Sequence, residues 1–134
     1  MSPRTIFLSK LIGLYCIVVG LAMAAHKQAT LETVRALLQN APLLWLVGVI
    51  ALGIGLAMVL GHNVWKGGAL PVVVTLVGWL SLIKGLHYLF VPSNAAVKFF
   101  LGVLHYGQLF YLYVAIDLII GVYLTYAGFR AKAS

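Results

Sequence analysis

Charge is what this sequence has least of. Only 8% of its 134 residues are Asp, Glu, Lys or Arg, and just two of them, Glu32 and Asp117, are carboxylates. A soluble domain carries about 25% charged residues, so a particle of this size has too few to face water over its whole surface. Two lone carboxylates also leave no acid pair for general acid–base work. The single cysteine, Cys16, excludes an intrachain disulfide and any CxxC redox or zinc site. It lies in an apolar run and reads as a small buried hydrophobe. No HExxH pair, no G-x-x-x-x-G-K loop and no Ser-His-Asp set is visible. Catalysis therefore has no constellation here, and neither a metal nor a resident cofactor is expected.

Apolar residues are abundant, at 63% of the chain with a mean hydropathy of +1.09. They gather in four stretches, 6–25, 43–61, 71–91 and 108–128. Each has about 20 residues, enough at 1.5 Å per residue to cross a hydrocarbon core of ~30 Å. Pro71 suits the first turn of a helix, and Pro92 follows the end of the third stretch. The pattern predicts an all-α polytopic membrane protein, one domain over 1–134, folded as an antiparallel bundle of four transmembrane helices. Arg4 and Lys10, an apolar run and Ala22-Met23-Ala24 also resemble a cleavable signal. The likeness of the first span to the second favours a retained helix.

The net charge is +7, yet the basic residues flank the apolar runs instead of forming a patch. This is the membrane use of Lys and Arg, and it argues against nucleic acid as a partner. An even number of spans puts both termini on one side. Arg4, Lys10, Lys66, Arg130 and Lys132 fall on that side, against Lys27, Arg35 and Lys98, which places the termini in the cytoplasm.

Between the first two spans, TLETVRALLQN (30–40) puts Leu31, Val34, Leu37 and Leu38 on one face and Glu32, Arg35 and Gln39 on the other. It predicts a short interfacial helix with Thr30 as its N-cap, ended by Asn40 and Pro42. A second such segment, capped by Ser93, covers 94–106 or continues into the fourth span.

An internal likeness runs through the spans. LIGLYCIVVGLAM (11–23) matches LVGVIALGIGLAM (46–58), so Gly13 and Gly20 recur as Gly48 and Gly55. Gly78 and Gly85 stand seven apart in the third span, and Gly121 and Gly128 in the fourth. Seven residues return to nearly the same helix face. In lipid, where apolar helices gain little from hiding from one another, small residues allow the close approach that drives association. These eight glycines are the expected packing seams.

Lys84 is the only basic residue deep in a span, and Asp117 the only acidic one. An uncompensated charge near the bilayer centre costs ~3 kcal/mol or more. Lys84 lies seven residues before Val91 and Asp117 nine after Gln108, so an antiparallel pairing of these spans sets them within roughly 3 Å of one level. Ser81, Lys84, Gly85 and Tyr88 share one side of the third span. Tyr113, Asp117, Gly121 and Thr125 share one side of the fourth. The expectation is an intramembrane ion pair between Lys84 and Asp117, acting as a structural lock or serving ion or proton movement.

His26, His87 and His105 fall on the side away from the termini. Tyr88, Phe90, Phe99, Phe100, Tyr106, Phe110, Tyr111 and Tyr113 gather around His87. They read as an interfacial aromatic belt, or as a site in which His87, His105, Tyr88 and Tyr113 hold a quinone, a lipid or a haem. On the terminal side His62, Asn63 and Trp65 open a compact turn closed by Gly67 and Gly68.

Gly61-His62-Asn63-Val64-Trp65, Gly78-Trp79-Leu80 with Lys84-Gly85, and the closing Tyr123-Leu124-Thr125-Tyr126-Ala127-Gly128-Phe129 resemble a group of small uncharacterised bacterial four-helix inner-membrane proteins. The resemblance implies a bacterial plasma membrane and no particular activity. The expected function is non-enzymatic: lateral association, as a homo-oligomer or as an accessory subunit of a larger membrane complex. A small transporter or channel built on Lys84 and Asp117 is the first alternative, and a quinone, lipid or haem binder the second.

Overall fold

The computed structural model describes residues 2–99, 102, 105 and 107–132. Those residues form six helices and no strand: α1 (Pro3–Ala25), α2 (Lys27–Gln39), α3 (Ala41–Gly61), α4 (Ala69–Phe90), α5 (Ser93–Lys98) and α6 (Phe110–Arg130). α1, α3, α4 and α6 are long and apolar enough to cross a membrane.

The helix ends follow from local chemistry. The Ser2 hydroxyl accepts the backbone N–H groups of Arg4 and Thr5, and Pro3 enters the first turn, so α1 starts three residues earlier than its apolar run. α2 begins at Lys27, not at a Thr30 cap. His26 already leaves helical geometry, and its carbonyl accepts the Thr30 N–H inside the first turn. Asn40 ends α2, and its side chain accepts the Leu43 N–H at the start of α3. Gly67 and Gly68 adopt φ of +94° and +110°, a backbone that side chains disfavour, and this permits the tight entry into α4. Of the expected 94–106 segment, α5 takes in 94–98, and Phe99 and Gly102 have π-helical geometry. Phe100, Leu101, Val103, Leu104 and Tyr106 lie outside the described residues.

Two helix pairs make the fold. α3 lies along α4, α1 lies along α6, and contacts between the pairs are far sparser. Glycines set both seams. A Cβ on Gly55 would stand 2.5 Å from the Leu82 Cα, and one on Gly85 2.7 Å from the Leu52 Cα. Gly48 faces Tyr88 and Leu89, and Gly78 faces Met58. In the other pair Gly13 meets Thr125 and Gly121, Gly20 meets Asp117 and Leu118, and Gly128 meets Ser9 and Lys10. In each seam, partners that rise along one helix fall along the other, so the paired helices run in opposite directions. Backbones this close leave no room for a β-carbon, and the seven-residue glycine spacing repeats the approach two turns on.

Two apolar cores sit at opposite ends. Near the α3–α4 turn, Met58, Leu70, Val74 and Leu124 pack with Leu8, Ile12, Val73, Val77 and Ile120, joining all four long helices. At the other end Leu38, Leu44, Tyr88 and Ala96 pack with Val34, Leu37, Val47 and Val97. Among the described residues that second core draws on α2, α3, α4 and α5, and Phe110 and Val114 at the start of α6 are buried as well.

Candidate functional site

Two places hold the polar groups of the long helices. The first is a buried hydrogen-bonded cluster where α1, the end of α3 and the start of α4 converge. Thr5, His62 and Thr75 are at most 3% exposed. The Thr75 hydroxyl lies 2.9 Å from the Pro71 carbonyl and 2.8 Å from that of Val64, and it accepts the Val64 N–H at 3.0 Å. A hydroxyl has one proton to give, and a carbonyl takes it, so toward His62 Nδ1 at 3.2 Å the Thr75 oxygen is an acceptor. The ring proton then sits on Nδ1. Nε2 accepts from the Thr5 hydroxyl at 2.8 Å. Arg4 adds a second tie between α1 and α3, its Nη1 donating to the Gly61 carbonyl at 2.6 Å. The Asn63 Oδ1 accepts from the indoles of Trp65, at 2.7 Å, and Trp79, at 3.4 Å. The HNVW turn is thus a fastening of three helices. Thr5 and Thr75 were not among the expected site residues. Their signal is faint, since each is a small hydroxyl in an apolar helix near the end where His62 lies.

The second place holds the intramembrane charges, and here the structure corrects the expectation. Lys84 and Asp117 form no ion pair. Their helices belong to different pairs: α4 lies along α3 and α6 along α1. Residues 91–109 separate α4 from α6, so the fourth long helix can cross to the first, where the Gly13/Gly20 and Gly121/Gly128 seams fit. Asp117 turns toward α1, with its Oδ2 beside Gly20 and its carboxylate beside the Cys16 thiol. That oxygen is buried and has no hydrogen-bond partner, as is true of the Thr125 hydroxyl near Gly13. Gly121 and Thr125 face α1 with it, not α4. Ser81 bonds to the Ala51 carbonyl of α3 at 3.0 Å, so the expected polar side of α4 is divided between neighbours. Lys84 is exposed, and its Nζ rests 5.6 Å from the centre of the Tyr88 ring.

The register of the two charges is nevertheless shared. Ile12, Val77 and Leu124 all belong to the core that joins the four long helices. Two turns farther from the His62 cluster on the same faces stand Val19, Lys84 and Asp117. Val19 lines an open groove of about 430 Å³ between α1 and α2, with Val18, Met23, His26 and Thr30.

Of the aromatic group, Phe100 and Tyr106 lie outside the described residues. His87 lies 5.3 Å from the Phe99 ring and 5.9 Å from that of Tyr88. Tyr88 is committed to the core beside Leu38 and Leu44. His105 is exposed in a left-handed turn at φ +48°, its carbonyl accepting the N–H groups of Gln108 and Leu109. No ring contact or hydrogen bond joins it to His87, so the two imidazoles are not brought together. Tyr113 is half-buried. Lys27 stacks over the Tyr111 and Phe110 rings at 4.9 and 6.0 Å. Among the described residues no group of three or more His, Cys, Asp or Glu is gathered as a metal ion would need.

No family model, curated protein or solved structure matches this chain.

Proposed function

We propose that the chain is a small, non-catalytic, multi-pass membrane protein that acts by lateral association, with itself or as an accessory subunit of a larger membrane complex. The observation that carries this reading is the surface. Between their ends the four long helices present outward rows of large apolar side chains, such as Phe7, Leu14, Val18 and Leu21 on α1 and Ile119, Val122, Tyr126 and Phe129 on α6. Among the described residues, connectors and the helices α2 and α5 lie outside those segments, so lipid tails and other membrane helices are the main things the protein can touch. In a bilayer the long helices form an antiparallel four-helix bundle, with α2 and α5 lying along one interface.

Native mass spectrometry from lipid nanodiscs tests the association. The expected mass is a multiple of 14.5 kDa or that value plus a second subunit. A mass of 14.5 kDa alone at every protein concentration would overturn it.

The flanking charges favour cytoplasmic termini. The resemblance of the HNVW turn and the Gly-Trp…Lys-Gly pattern favours a bacterial plasma membrane. A C-terminal reporter that fluoresces only in the cytoplasm is expected to glow; a dark reporter, with one that works only outside being active, reverses the orientation.

A small transporter or channel is the second reading, supported by Lys84 and Asp117 being the charged residues deep in the long helices. It requires a flux in proteoliposomes that Asp117→Asn abolishes.

A further inference from the structure

We propose that the pocket between the start of α1 and the α3–α4 turn binds the phosphate of an anionic phospholipid headgroup. The proposal rests on the membrane reading above and does not depend on lateral association.

The pocket, of about 300 Å³, is lined by Ser2 and Thr5 at the start of α1, by Val64, Lys66 and Gly67 of the turn, and by Pro71 of α4. Its walls are fixed from behind by the buried cluster. The Thr5 hydroxyl is committed to His62, and the Val64 N–H to the Thr75 hydroxyl. A pocket already held in one shape pays little ordering cost when it is filled.

The polar groups of the lining suit an anion. Lys66 is exposed and brings an ammonium with three N–H donors. The Ser2 oxygen already accepts the N–H groups of Arg4 and Thr5, which leaves its own proton to give. Arg4, in the same turn of α1, spends one guanidinium N–H on the Gly61 carbonyl and keeps others. Neither of the chain's carboxylates is near. Glu32 belongs to α2, at the opposite end of α1 and α3, and Asp117 lies inside α6. Cationic and hydroxyl donors without a carboxylate match a phosphate diester, and they offer no partner to the ammonium of a zwitterionic headgroup.

Position argues for a lipid as the source of that phosphate. Ser2 precedes α1, Lys66 follows α3 and Pro71 stands in the first turn of α4, so the pocket sits where three long helices end. In a bilayer those ends reach the headgroup layer, where basic pockets between helices hold anionic lipids. A headgroup whose only charge is its phosphate, such as that of phosphatidylglycerol, is therefore the expected occupant.

Native mass spectrometry of the full chain in detergent micelles, titrated with phosphatidylglycerol or phosphatidylcholine, tests this. The expected result is one tightly held phosphatidylglycerol per chain, with phosphatidylcholine held more weakly. Lys66→Ala is expected to weaken the phosphatidylglycerol adduct about tenfold, the loss of one charge-assisted hydrogen bond. Lys66→Arg is expected to retain it. Lys132→Ala removes an equal charge on the same side, outside the pocket, and is expected to leave the adduct unchanged. Lys66 is exposed, so unfolding temperatures without added lipid are expected to match wild type in all three variants. Equal retention of the two lipids would overturn the proposal, as would equal effects of Lys66→Ala and Lys132→Ala. Displacement of the lipid by millimolar inorganic phosphate would assign the pocket to a soluble anion and overturn it too. Adducts are counted per chain, so the result reads alike for a single copy and for an oligomer.

Discussion

Gly55→Leu is expected to prevent the α3/α4 pair from assembling, while Gly53→Leu, two residues away on the same helix, leaves the protein folded. A β-carbon at Gly55 would stand 2.5 Å from the Leu82 Cα and 2.8 Å from its Cβ, and a backbone atom cannot rotate away. Nothing lies within 4 Å of the same atom at Gly53. Overpacking a tight core costs about 1–3 kcal/mol when side chains can yield, and here the helices must separate, which also frees the neighbouring Gly85–Leu52 contact. Thermal unfolding in mild detergent, followed by size-exclusion profile, reads the difference. Aggregation of Gly55→Leu beside a Gly53→Leu profile like wild type is the expected outcome. Equal behaviour of the two would show that the seam does not hold the fold.

Thr75→Val is the second change with a large expected effect. Valine keeps the shape but loses the oxygen that accepts the Val64 N–H and the His62 Nδ1–H. A buried donor left without an acceptor costs about 1–3 kcal/mol, and the His62 ring is buried where three helices meet, while the Val64 N–H is partly so. Thr5→Val removes one partner, the donor to Nε2, and is expected to lower the unfolding temperature by less. Thr75→Ser retains the hydroxyl and is expected to recover most of the loss. A ranking with Thr75→Val at or above Thr5→Val in stability would show that the cluster is not the fastening described here.

How much of this was legible beforehand differs from residue to residue. The four long helices follow from hydropathy alone, and their observed bounds shift by only a few residues. Those shifts come from side-chain caps at Ser2 and Asn40, which hydropathy does not register. Gly13, Gly20, Gly48, Gly55, Gly78, Gly85, Gly121 and Gly128 stand out by their spacing, but spacing is silent about which glycine helix meets which. Lys84 and Asp117 were picked out as the only charges deep in the spans, and their common level follows from counting residues. Their contact did not follow, because it required the third and fourth spans to be neighbours. His105 and His87 fall on one side of the chain by the same counting, which says nothing of the left-handed backbone at His105.

Composition and periodicity by themselves determined that this chain is helical, that four of its helices are apolar along their length, and where its few charges and its glycine edges fall. Those properties are local, since each depends on residues within two or three turns. Which helices pair was decided only by the tertiary structure. α1 chooses α6 and α3 chooses α4 because backbones interlock at particular glycines, and that fit is a property of two surfaces together. The same choice set Lys84 and Asp117 on separate pairs, with Asp117 turned toward α1 and Lys84 exposed on α4.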